Sequence, residues 1–407
     1  MTSDLPVEVV GDGGGDQRWR TSVLCLAVGF GSRDDPEGQG GVAHLLEHLL
    51  MSAPLDGGRS LSERVERLGG QANAITGLDR MFFQVQVLGA HVPEVAALLT
   101  RAVLEPRLDD GVLDTERQAV LQELAAAAAD PSDTVQDAFL AALFPGHPLG
   151  RPVGGTAEEV RRLRLPDVLA VHREVFLDRR TALVCTGGTG PEEVAKHVAG
   201  TTGTAPTTVS VPAAVPLSEP AVEAWRPRTG GSEGFSWFAT GGRAPAVDDP
   251  RRHAYTVLAQ LLGPSPASVL YRTLRGREGL VYAFHTWERG YTESGAWRVL
   301  AGVEDGNLVR AQEVVRDLLL TVADRGPDPE DLAVARRQAV MDLVTRAERP
   351  WDHALTLSQE TVLGTRSWSV SDGIRDLERV TAEEVRLAAA AIAEHQTTVV
   401  RPAPEPV

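Results

Sequence analysis

The stretch Gly41-Val42-Ala43-His44-Leu45-Leu46-Glu47-His48 places two imidazoles and a carboxylate close together. On a helix, His44 and His48 stand one turn apart and share a face. Two imidazoles at that spacing can grip one zinc ion. Glu47, three residues after His44, also points toward the metal and is placed to deprotonate a zinc-bound water. Zinc lowers the pKa of such a water toward ~7, which lets a carboxylate act as base at neutral pH. Leu45, Leu46, Leu49 and Leu50 bury the rest of this helix. Histidines and a glutamate at its core-facing end would be costly without a partner, which favours a metal over two incidental histidines.

A two-histidine site needs a third protein ligand and an open position for water. The expected helix Asp110–Ala129 offers Glu116 and Glu123, seven residues apart and so two turns along one face. Glu123 sits among Leu121, Leu124 and a run of alanines, which suits a carboxylate aimed inward at a cation. Taken alone, the pair reads as a solvated helix face. His147 lies in the turn Pro145-Gly146-His147-Pro148 and is read as structural. The remaining histidines show no ligand spacing, and no nucleophilic serine elbow or phosphate-binding loop is present.

The elements that must position these groups alternate strands with amphipathic helices. Ser22–Phe30 reads as a strand, Gly38–Gly41 breaks the chain, and Val42–Met51 reads as the helix carrying the histidines. Ser60 and Glu63 form a capping-box pattern for a helix that stops at Gly69-Gly70. A strand lies within Asn73–Val87, helices near 92–104, 110–129, 133–144 and 166–176, and a closing strand at Thr181–Thr186. The stretch 201–231, rich in Pro, Thr, Gly and Ala, reads as a linker. Beyond it, strands are expected near 235–240, 280–287 and 296–303, and helices near 250–262, 306–324, 328–347, 351–363 and 381–394. The fold class is therefore α+β. Two similar α/β domains, 1–200 and 232–407, each pack helices on an antiparallel-rich sheet.

Composition sets the outer bounds. A chain of 407 residues with 43% hydrophobic and 24% charged residues is ordinary for a protein of two or three domains. The net charge of −16 disfavours nucleic-acid binding. No apolar run approaches the ~18–20 residues that span a bilayer, and the start lacks the basic and apolar regions of a secretory signal, so a cytoplasmic protein is expected. Cys25 and Cys185 sit in apolar strand-like runs and read as buried free thiols. The block 101–150 holds nine acids against three bases and contains both Glu116 and Glu123. An acidic surround that favours cationic peptides competes there with plain surface solubility.

His44-x-x-Glu47-His48 followed by Glu123 resembles the inverzincin zinc peptidases, the family of pitrilysin, insulin-degrading enzyme and the mitochondrial processing peptidase. Further stretches resemble the same family across most of the chain: Gly29–Asp34, Gly69–Ala74, Phe144–Pro152 and, in the second half, Leu274–Tyr282. The resemblance implies a zinc-dependent endopeptidase acting on unfolded peptides. His44, His48 and Glu123 match the zinc ligands and Glu47 the general base. Glu116 matches a carboxylate that orients a ligand histidine or water. Asn73 and Ala74 match the edge strand that pairs with substrate backbone. Arg275 and Tyr282 match a pair delivered by the second domain to the substrate carbonyl and oxyanion. A complete chamber in this family takes four such domains. The resemblance therefore implies a homodimer, with a heterodimer beside a related subunit as the alternative. It also leaves two other readings, a dedicated leader-peptide maturation protease and a non-catalytic peptide-binding scaffold.

Overall fold

A computed structural model describes residues 7–11, 20–56, 58–198, 215–218, 225–231, 234–363 and 368–402. The stretch expected as a linker, 201–231, lies largely outside them. The chain forms two compact units, neither of which is one continuous piece of sequence. The first comprises Met1–Leu124, Arg151–Ala213 and Thr345–Trp368; the second comprises Ala125–Gly150, Ala214–Val344 and Ser369–Val407. A division at 1–200 and 232–407 is thus crossed twice.

The first unit is built on a five-stranded sheet of β1 (Val7–Gly11), β2 (Thr21–Val28), β3 (Gln71–Thr76), β4 (Met81–Leu88) and β5 (Thr181–Gly187), in the order β1-β5-β2-β4-β3. β1 runs parallel to β5 and the other neighbours are antiparallel. Leu24, Leu26 and Val28 of β2 face one side, where they join Met81, Phe83 and Val85 of β4 in the main core. Helices α1 (Val42–Ser52), α2 (Leu61–Arg67) and α3 (Val92–Leu104) supply much of the rest of that core, while α4 (Asp110–Ala129) adds little more than Leu113 and Val120. Leu45, Leu46, Leu49 and Leu50 of α1 are fully buried, each worth ~1.5–3 kcal/mol. They clamp α1 to the sheet. Ser60 caps α2 by accepting from the Glu63 N–H at 3.2 Å. The Glu63 carboxylate turns to Arg59 at 2.9 Å, so half of the expected capping box forms.

The opposite face of the same sheet is buried too. Val23, Cys25, Ala27, Phe82, Ala182 and Val184 pack against Ala354, Leu357 and Val362 of the helix Pro350–Leu363. A strand buried on both faces reads as a continuous apolar run, which is why Ser22–Val28 is almost uninterrupted. Polar side chains on this face are met by the start of the covering helix. Gln84 donates to the Trp351 carbonyl at 3.2 Å and Thr186 to the Pro350 carbonyl at 2.7 Å. Leu24 stands opposite Cys185, and Cys25 opposite Val184, so the two buried thiols project from opposite faces and are not joined in a disulfide. Burial pushes the Cys25 thiol up to about 12.

The second unit holds an antiparallel sheet of β6 (Phe235–Ala244), β7 (Phe284–Gly290), β8 (Gly295–Glu304) and β9 (Thr397–Arg401), in the order β7-β8-β6-β9. Helices Arg252–Leu261, Asp305–Arg325 and Ala382–Glu394 pack with it, and α5 (Pro131–Leu143) lies on β6 and β9. The two units therefore mirror each other in construction, since each sheet takes a helix from the other half of the sequence. β7 begins at Phe284, later than the strand expected from 280. Gly279, at φ +63°, turns the chain, and the Leu280 N–H donates to the Leu274 carbonyl at 2.8 Å, so sheet pairing starts only past Tyr282.

Candidate metal centre

The position of α1 is set at its first turn. Its own sequence offers no capping side chain, and Gly41 enters the helix at φ +87°, a backbone conformation that favours glycine. The cap comes from upstream. The Asp35 carboxylate accepts from the Gly41 N–H at 2.7 Å and the Ala43 N–H at 3.0 Å. Burial pushes that carboxyl up to about 7 despite both donors. Arg151 holds the same loop by donating to the Asp35 carbonyl at 3.1 Å. Gly155, at φ +67°, lies so close to Gly40 and Gly41 that a Cβ there would fall within 2.2–2.4 Å of their backbone.

One turn into this anchored helix, the rings of His44 and His48 stand 4.9 Å apart and nearly perpendicular. α4 faces them. Its two buried apolar residues, Leu113 and Val120, share a stripe with Glu116 and Glu123 at helical spacing. Glu116 is mostly buried, where a carboxylate is costly without a hydrogen-bonding partner, whereas the Glu123 side chain is 56% exposed. Both meet the histidines. One Glu123 oxygen, Oε2, lies 3.5 Å from His44 Nε2 and 3.4 Å from His48 Nε2. Glu116 Oε2 lies 3.1 Å from His48 Nδ1, on the far side of the same ring.

These separations suit a shared cation better than direct hydrogen bonds. Ligand bonds of ~2.0–2.2 Å at tetrahedral angles put adjacent donor atoms ~3.3–3.6 Å apart. Among the described residues, His44, His48 and Glu123 are the one group of three or more such side chains whose ligand atoms gather within 4.8 Å. Two imidazoles and a carboxylate are a donor set that zinc accepts, and the arrangement leaves a fourth position open. Burial, reinforced by the neighbouring His48, holds His44 below the ordinary histidine pKa, which favours the neutral ring that a ligand needs. Its Nδ1 is buried against Gly154 with no hydrogen-bond partner among the described residues.

Glu47 stands beside this group. Its Oε2 accepts from the Thr76 hydroxyl at 2.5 Å. Burial raises its pKa above the usual carboxylate range, with the Thr76 bond as the largest opposing influence. Thr76 ends β3, the strand that carries Asn73 and Ala74 at the edge of the sheet and, among the described residues, pairs on one side only, with β4. Arg275 and Tyr282 lie in the second unit. The Arg275 guanidinium sits over the Tyr282 ring at 4.9 Å and over Tyr271 at 5.4 Å, and Tyr282 is 83% exposed. His147 is buried, bonding the Leu149 N–H and facing the Val215 carbonyl. Sequence reasoning missed three parts of the site: Asp35, Thr76 and the Gly154-Gly155 turn. Only Thr76 left a readable trace, as the polar end of an edge strand.

A model of the insulinase family, peptidase family M16, matches residues 16–157, and a model of the peptidase M16 inactive domain matches residues 162–339. The chain belongs to the M16 family. All five residues gathered at the metal centre fall within the first match, and Arg275 and Tyr282 fall within the second. An uncharacterized zinc protease of Mycobacterium tuberculosis is 29% identical over 365 residues, covering 89% of this chain and 83% of that protein. A probable mitochondrial-processing peptidase subunit beta of Schizosaccharomyces pombe is 25% identical, covering 80% of this chain and 74% of that one. The crystal structure of a protease from Helicobacter pylori shares the fold, with a TM-score of 0.84 at 18% identity over 98% of both chains. M16 proteins are zinc-dependent, in keeping with the donor set found here. Among the described residues, no helix is long and apolar enough to cross a membrane.

Proposed function

We propose that this M16 protein is a zinc endopeptidase that hydrolyses unfolded peptides. The observation that carries this reading is the meeting of His44 Nε2, His48 Nε2 and Glu123 Oε2 on one point, with Glu47 alongside. When bound, zinc supplies a Lewis acid that polarises a carbonyl and acidifies water. Glu47 takes the proton of the attacking water and returns it to the leaving amine, a task helped by a pKa that burial raises above the usual carboxylate range. Glu116 accepts the Nδ1 proton of His48 and so turns the Nε2 lone pair toward the cation. The open edge of β3, through Asn73 and Ala74, receives the peptide backbone as an added strand, which selects extended chains. The family resemblance assigns to Arg275 and Tyr282 the role of hydrogen-bond donors to the peptide carbonyl as negative charge develops.

Two domains are half of the four-domain chamber that the family resemblance implies, so we infer that the peptidase acts as a dimer. An intact ligand set supports catalysis over a scaffold role. The test is elemental analysis joined to a cleavage assay. One zinc per chain is expected, with hydrolysis of fluorogenic peptides lost on chelation and restored by zinc. A chain that binds no zinc overturns the reading, and a monomer in light scattering at micromolar concentration overturns the dimer.

A further inference from the structure

The metal centre leaves one strong contact without a role. Thr76 Oγ1 donates to Glu47 Oε2 at 2.5 Å, within the short range expected for a hydroxyl donating to a carboxylate. The two residues are 29 apart in sequence and arrive on different elements, Glu47 on α1 and Thr76 at the end of β3. Glu47 has two oxygens and a side chain with rotamers to choose among. The hydroxyl fixed to Oε2, with the Thr76 backbone N–H also bonding the carboxylate, narrows that choice. The donor is carried by backbone whose position is set by the sheet register, where Thr76 pairs with Met81 and Ala74 with Phe83. Met81 and Phe83 are fully buried, so this end of β3 is backed by rigid core.

We propose that Thr76 is the positioning residue for Glu47, and that it ties the orientation of the base to the strand on which the peptide docks. This rests on the peptidase reading above. Held by Thr76, the carboxylate needs no rearrangement when a water arrives, and that pre-organisation is the entropy a catalytic base otherwise loses at each turnover. The link also gives the edge strand a second task. A peptide that pulls β3 out of register would displace the donor and slacken the base, so a poorly seated substrate would be turned over slowly.

Thr76→Val keeps the shape and removes the donor, whereas Thr76→Ser keeps the donor. In the full-length, zinc-loaded chain, kcat on a fluorogenic peptide is expected to fall by ~10–100-fold in the valine variant. That is a part of the ~10²–10⁴-fold supplied by a general base. KM and zinc content stay near wild type, and serine restores kcat to within a few-fold. In a Glu47→Gln background the valine change has no further effect on residual turnover, because the group it positions is gone. As a readout free of activity, denaturant midpoints of Thr76→Val, Glu47→Ala and the double variant are expected not to add. An active wild type whose valine variant keeps its kcat, or whose loss is not rescued by serine, overturns the role of Thr76 alone. A zinc-loaded wild type that cleaves nothing overturns the peptidase reading and this inference with it.

Discussion

Glu116→Gln isolates the support of a metal ligand from ligation itself. Glu116 does not reach the shared point of His44, His48 and Glu123; it meets the opposite nitrogen of His48 at 3.1 Å. Both side chains are mostly buried, at 16% and 15% exposure, so water competes weakly for the contact. A hydrogen bond to a charged acceptor contributes ~1.5–3 kcal/mol, and glutamine keeps a neutral acceptor worth ~0.5–1.5 kcal/mol. The difference, ~1–2 kcal/mol, is a ~5–30-fold loss of zinc affinity, which overlaps the ~10–100-fold typical of losing a ligand's outer partner. Chelator competition on the purified chain reads this directly. Zinc affinity should weaken by about tenfold with stoichiometry kept at one, and Glu123→Gln should cost more because it removes a ligand. Equal losses in the two variants, or an unchanged affinity in Glu116→Gln, would refute the division of labour drawn between the two glutamates.

Three further outcomes follow from the packing. The Asp35 carboxyl is raised to about 7 from an ordinary 3.8. The native state therefore holds that proton more tightly than the unfolded chain does, and the stability it contributes is present below pH ~4 and lost as pH rises toward 7. Asp35→Asn should remove up to ~1.4 kcal/mol per pH unit of slope across that window, read as denaturant midpoints against pH. Leu357→Ala should destabilise by ~2–5 kcal/mol, since Leu357 is buried in the covering helix; a change near zero would show that this face of the sheet is not packed as described. Both thiols should resist a thiol reagent in the native chain and react only on unfolding.

What was legible in the sequence was what local periodicity encodes. His44, Glu47 and His48 announce themselves because one helical turn separates the histidines, and Glu116 and Glu123 fit because seven residues return a helix to the same face. Ser22–Phe30 reads in sequence as an alternating strand, whereas both faces of Ser22–Val28 are buried. The covering helix Pro350–Leu363 could not be matched to it, because no local pattern links strands near the start of the chain to a helix near its end. The exchange of α5 and Pro350–Leu363 between the two halves was hidden for the same reason. Asp35 escaped notice because it caps α1 from six residues upstream across a glycine-rich turn, whereas capping patterns are read at fixed local spacing. The start of β7 was misjudged because Leu280 and Val281 look strand-like, yet Gly279 bends the chain before pairing begins.

The central claim is that a zinc-dependent carboxylate, Glu47, drives peptide hydrolysis. A mass-spectrometric digest of a peptide library, with wild type and Glu47→Gln compared at matched zinc content, tests it most directly. The account predicts new termini from the zinc-loaded wild type, none after chelation, and a loss of at least ~10²-fold in the glutamine variant. Cleavage that persists undiminished in Glu47→Gln would contradict it, as would a zinc-loaded wild type that leaves the library intact.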